Sequence, residues 1–232
     1  MIEIIPAILS QNYEDMKNKI ALVRGISPLV QIDLCDGIFV QNKTWPFMTG
    51  GSNDYNFQRI LNEEEGMPFW EDIDFELDLM VSDALSNFDI YTKLSPKRII
   101  FHLGAVGDIE EFKYFIEGLD VYIRDSIQIG LAIETTTNIE HIFSLVNCVD
   151  FVQCMGIENI GFQGQDFDER VLSQIKSLKK EFPDLIISVD GGVNFDTAPS
   201  LIEAGATRLV TGSLILKSQD IRETILELEN LG

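Results

Sequence analysis

Eight short runs of β-branched and apolar residues recur along the chain, and stretches of helical periodicity lie between them. The runs are IEIIPAIL (2–9), PLVQIDL (28–34), IDFELDLMV (73–81), KRIIFHL (97–103), SIQIGLAI (126–133), VDFVQCM (149–155), DLIISVD (184–190) and TRLVTG (207–212). The clearest helical stretches are 13–25, 108–119, 168–182, 196–205 and 218–231. In the third of these, Val171, Ile175, Leu178 and Phe182 return at spacings of three and four, which is one face of an amphipathic helix. Asp196 and Thr197 read as helix starts and Gly205 as a stop. Strands that alternate with helices run parallel, joined by right-handed crossovers. The 232 residues, shared among eight units, give about 29 per unit, the size of one βα module. The pattern therefore predicts an α/β fold, a single-domain (β/α)8 TIM barrel over residues 1–232, with an open doubly wound sheet as the runner-up.

Composition narrows the function. With 38 acids against 17 bases the net charge is −21, which repels phosphate backbones and anionic lipid. No nucleic-acid or membrane partner is expected. Cys35, Cys148 and Cys154 form no CxxC pair and are odd in number, so reduced thiols and a cytoplasmic location are expected. The N-terminus has no basic region before its apolar run and reads as a strand rather than a signal peptide. The longest irregular stretch, 41–56, carries Trp45 and Phe47 and suits lid or interface packing.

In a barrel the chemistry sits at the C-terminal ends of the strands. Those ends read Ser10, Asp33, Asp78, His102, Glu134, Met155, Asp190 and Gly212. Three of the eight are aspartates. Carboxylates that converge on one mouth repel, so they need a cation or shared protons. A single strand-end histidine is most often a structural residue, so His102 reads first as hydrogen-bonded packing. Glycine turns give a second signal. NIGFQGQDF (159–167), DGGVN (190–194) and TGS (211–213) follow the sixth, seventh and eighth runs, and such turns aim backbone N–H groups at an anion. Together they point to a phosphorylated small molecule.

These stretches resemble the ribulose-phosphate 3-epimerase family over nearly the whole chain. The resemblance rests on IIPAILSQ (4–11), QIDLCDGIFVQNKT (31–44), LDLMV (77–81), IIFHLGA (99–105), IGLAI (129–133), GFQGQDF (161–167) and VDGGVNFDTAPSLIEAGATRLVTGS (189–213). It implies an isomerase that inverts C3 of a ketose phosphate, D-ribulose 5-phosphate to D-xylulose 5-phosphate, through an enediolate. By that resemblance Asp33 and Asp190 are the catalytic acid/base pair. Ser10, Asp78 and Met155 contact the sugar, and Gly161, Phe162, Gln163, Gly164, Gly191, Gly192, Gly212 and Ser213 hold the phosphate. A homo-oligomer, dimer or hexamer, is also implied.

The family holds a divalent metal with two histidines and two aspartates. Both histidine positions differ here, being Gln31 and Asp78. Three arrangements follow. Gln31, through its amide oxygen, with Asp33, Asp78 and Asp190 makes an all-oxygen site that favours Mg²⁺ or Mn²⁺. In the second the metal is lost and the aspartates have raised pKa values. In the third the protein binds a sugar phosphate without turning it over, or acts on a hexulose 6-phosphate such as allulose 6-phosphate. The phosphate turn also departs from its family form at Gln163, which would be strained if a positive φ were required there.

Overall fold

A computed structural model describes residues 2–232. Eight parallel strands close into a barrel in sequence order, with β1 paired to β8. They are β1 (Glu3–Ile8), β2 (Leu29–Cys35), β3 (Asp74–Met80), β4 (Arg98–His102), β5 (Gln128–Ile133), β6 (Phe151–Met155), β7 (Ile186–Asp190) and β8 (Arg208–Thr211). Every run picked out in the sequence becomes a strand. The reason is length and composition: each is too short for a helix and is bounded by turn residues. The five helical stretches also form, as Tyr13–Val23, Ile109–Glu117, Arg170–Glu181, Ala198–Ala204 and Ile221–Glu229.

The outward strand residues and the inner faces of the helices make one large core, which includes Ile32, Leu77, Phe101, Leu131, Ile175 and Leu209. The odd-phase residues of β2 and β3 point into the barrel instead, in register as Gln31 beside Glu76 and Asp33 beside Asp78. The interior is layered. At the N-terminal end Glu3, Glu76, Arg98 and Arg208 form an ion network. In the middle, Ile100, Ala132 and Phe151 pack together. Gly130 makes this possible, because a Cβ there would lie 2.4 Å from the Phe151 ring. The C-terminal layer holds the three aspartates.

Two local expectations are corrected. The helix Ala198–Ala204 is not started by the side chain of Asp196 or Thr197; Asn194 Oδ1 accepts from both their N–H groups and orders the approach. Trp45 is not lid or interface material. It is fully buried against Tyr13 and Phe57, and its indole N–H donates to Asp54 at 3.0 Å. It fastens the 41–56 segment onto the barrel, because an indole this large gains most by burial when its one N–H finds an acceptor.

Candidate active site

Three strands deliver the acids. Asp33 and Asp78 lie two residues before the ends of β2 and β3, Asp190 ends β7, and one oxygen of each lies within 4.8 Å of the others. Such a cluster could hold a metal ion. Its immediate surroundings, however, are hydrogen-bond donors. The Gln31 amide nitrogen donates to Asp33 Oδ1 at 2.8 Å and to Asp190 Oδ2 at 2.9 Å, so one side chain clasps both aspartates. Asp78 is held from behind by His102 Nε2 at 2.6 Å and by the Gln153 amide at 3.1 Å.

This corrects the expected role of Gln31. It does not turn its amide oxygen into the cluster, and that oxygen is buried without a partner. Rotating the amide would press the oxygen against two carboxylates, so the donor orientation wins. His102 is buried and hydrogen-bonded, in keeping with its reading as a structural residue, and its partner is Asp78. Gln153, one layer below Met155, was missed in the sequence. Its phase on the sixth strand was the available signal.

Burial shapes the electrostatics. Desolvation, then the charges of Asp190 and Asp78, push Asp33 well above the ordinary carboxylate range, against the Gln31 hydrogen bond. Desolvation and then Asp78 push Asp190 up to about 7, opposed by Gln31 and His102. Burial alone would lower the His102 pKa, but the charge and hydrogen bond of Asp78 outweigh it and raise it. Burial and mutual repulsion thus favour the protonated forms of these acids, the direction in which shared protons relieve crowded carboxylates.

A cavity of about 280 Å³ opens above the cluster. It is lined by Asp33, Met155 and Asp190 together with the glycine turns after β6, β7 and β8. Gly161, Gly164, Gly191 and Gly192 all have positive φ, so these turns suit glycine alone. Gln163 is not among the positive-φ residues, and the strain foreseen for it does not arise. Its amide instead reaches across to the Ala7 carbonyl at 3.3 Å and packs over Gly212. Asn42 donates to the Gly161 carbonyl at 2.7 Å and ties the turn after β6 to the segment following β2.

Phe162, Gln163 and Ser213 also line the cavity, while Ser10 and Asp78 do not. The Ser10 hydroxyl is buried with no partner. Lys217, which sequence reasoning passed over, lines the cavity and makes no ion pair among the described residues. A base four residues beyond the TGS turn, in a chain this acidic, was the signal for it.

A closed parallel barrel whose mouth is lined by carboxylates and glycine turns is an arrangement suited to a phosphorylated small molecule. A model of the ribulose-phosphate 3 epimerase family matches residues 3–216. The chain belongs to that family. It is 29% identical to a ribulose-phosphate 3-epimerase of Bacillus subtilis (strain 168), covering 98% of each chain. It is 28% identical to a ribulose-phosphate 3-epimerase of Helicobacter pylori (strain J99), covering 99% of this chain and 97% of that one. Among solved structures, KGPDC from Streptococcus mutans superposes with a TM-score of 0.68 at 11% identity, covering 100% of this chain and 97% of that one. The 3-hexulose-6-phosphate synthase from Salmonella typhimurium gives 0.64 at 12% identity, covering 99% and 98%. At such identities these two speak for the fold alone. No helix among the described residues is long and apolar enough to cross a membrane.

Proposed function

We propose that the chain epimerises a ketose phosphate at C3, with D-ribulose 5-phosphate and D-xylulose 5-phosphate as the pair, and that Asp33 and Asp190 move the proton. One observation carries this reading. Asp33 and Asp190 line the same cavity as three glycine turns, so a sugar carbon at the acids and a phosphate at the turns fit one small molecule. The two acids come from strands separated by β1 and β8, and so approach that carbon from different sides. Inversion needs this: one group removes the C3 proton and the other returns a proton to the opposite face. A raised pKa on each suits the task, because one aspartate ionised and one protonated is the working state.

Met155 forms an apolar wall beside the reacting carbon. The backbones of Gly161, Gly164, Gly191, Gly192 and Gly212 approach the phosphate, and Phe162, Gln163 and Ser213 close its rim. Mg²⁺ or Mn²⁺ is the ion that an all-oxygen set would select. The test is conversion of D-ribulose 5-phosphate in D₂O, with and without either ion, following deuterium entry at C3. Binding without deuterium entry would leave a silent sugar-phosphate binder. Entry only with a hexulose 6-phosphate would move the assignment to that substrate.

Lys217 supplies the one cationic side chain that lines the cavity. Lys217→Ala should raise KM for the phosphorylated sugar about 2–5-fold while leaving kcat nearly unchanged, since an exposed charge contributes roughly 1 kcal/mol or less to uniform binding. A fall in kcat with constant KM would remove Lys217 from the phosphate's surroundings.

A further inference from the structure

The ion implied by the family has two nitrogen ligands and two carboxylates. This chain offers no imidazole at either nitrogen position, which are Gln31 and Asp78. Four of the six carboxylate oxygens in the cluster already accept hydrogen bonds from Gln31, His102 or Gln153. Asp33 and Asp190 each take one from the Gln31 amide, and both oxygens of Asp78 are met, one by His102 and the other by Gln153. Gln31, Asp78, Gln153 and His102 are all buried to within 1% of full enclosure.

We infer that this site works without the family's divalent ion, and that the Gln31 clasp and the His102–Asp78–Gln153 chain hold the three acids together in its place. Two costs stand against an ion entering. To be ligated by the Gln31 oxygen it must break both Gln31 hydrogen bonds and turn the amide round, which strands a buried NH₂ group. It must displace donors from Asp78 or settle for that residue's remaining lone pairs. None of this applies to the hydrogen-bonded cluster, in which donors and shared protons answer the repulsion among the carboxylates. Gln31 and His102 are in this sense positioning residues: they act on the reacting carbon only through the aspartates they hold.

The metal measurements stand apart from the proposed epimerisation; only the turnover measurements rest on it. Full-length protein, purified from medium supplemented with Mn²⁺ and Zn²⁺ and then dialysed, should carry far less than one divalent ion per chain by elemental analysis. Mn²⁺ titrated into it should keep the paramagnetic spectrum of the free ion. Gln31→His/Asp78→His restores the two nitrogens and should bind Mn²⁺ at least about 10-fold more tightly, the scale on which ligand surroundings set affinity. Epimerisation by the native protein should survive excess EDTA. Gln31→Leu removes donors that favour the ionised aspartates, so the acid limb of its kcat/KM profile should move to higher pH. One tightly held ion per native chain, or turnover lost to EDTA and restored by Mn²⁺, would overturn the inference, and so would an unmoved acid limb in Gln31→Leu. Should every sample lack turnover, it is the proposed epimerisation that fails, and the ion content still decides the inference.

Discussion

Asp33→Asn should lower kcat for D-ribulose 5-phosphate by about 10²–10⁴-fold, the usual worth of a positioned general acid or base. KM should change little, because the carboxylate serves proton transfer rather than binding. The side chain is 4% exposed and accepts one hydrogen bond from Gln31 that an asparagine oxygen can still accept. The fold should therefore survive. It should in fact gain stability at pH 7–8. Asp33 has a folded pKa raised well above its ordinary value, so its ionised form costs stability that an amide does not. Loss of turnover with unchanged or higher resistance to urea is the signature. Loss of both would mean that Asp33 holds the barrel together instead.

The same pair sets the pH profile. Asp190 is raised to about 7 and Asp33 is raised as well, so the two titrate as one unit. As pH falls through the lower of the pair's two steps both become protonated and no base remains, so kcat/KM should fall. As pH rises past the second step both ionise, no acid remains, and activity falls again. A carboxylate pair with ordinary values would place the acid limb near pH 4. An acid limb there would show that neither buried aspartate is the base.

The barrel was legible because its signal is repetitive. Eight β-branched runs each bounded by turn residues leave few alternatives, and an error in one run would not have changed the count. The acids were legible for a related reason: an aspartate at the end of a buried strand has no solvent to satisfy it. What the sequence did not disclose is orientation. Which end of the Gln31 amide faces Asp33 depends on Asp190, 159 residues from Gln31 in sequence, and on its charge. Likewise His102 reads as packing until the register of β3 and β4 brings it to Asp78. Trp45 misled for the opposite reason. An aromatic in a long loop looks like a surface feature, and only the location of Tyr13, Asp54 and Phe57 gives it a pocket.

Arg98→Met should cost about 3–5 kcal/mol of stability at pH 8, the range seen when one partner of a buried ion pair is removed. Arg98 Nη1 lies 3.3 Å from Glu76 Oε2, and Nη2 lies 2.8 Å from Glu3 Oε1. Glu76 has no exposure to solvent, and one of its oxygens has no hydrogen-bond partner even with Arg98 in place. Methionine keeps the stem of the arginine but strands that carboxylate at the closed end of the barrel. The penalty must depend on pH. Burial raises Glu76 from 4.5 to about 7, held from rising further by Arg98 and Arg208. A carboxyl with a raised folded pKa gives its full stability below its unfolded value and loses it as pH climbs through the folded one. Without Arg98 the folded value rises again, so the loss continues past pH 7 where the native protein has levelled off. Denaturant unfolding at pH 5 and pH 8 should thus show a small penalty at the first and a large one at the second. Glu76→Gln, added to Arg98→Met, should recover most of the loss at pH 8, a coupling that two independent sites would not show. Turnover at 25 °C should be untouched throughout, because this network lies at the opposite end of the barrel from Asp33 and Asp190. A penalty equal at both pH values, or one that Glu76→Gln leaves in place, would mean that the arginine contributes through its packing over the barrel floor rather than through the charge it neutralises.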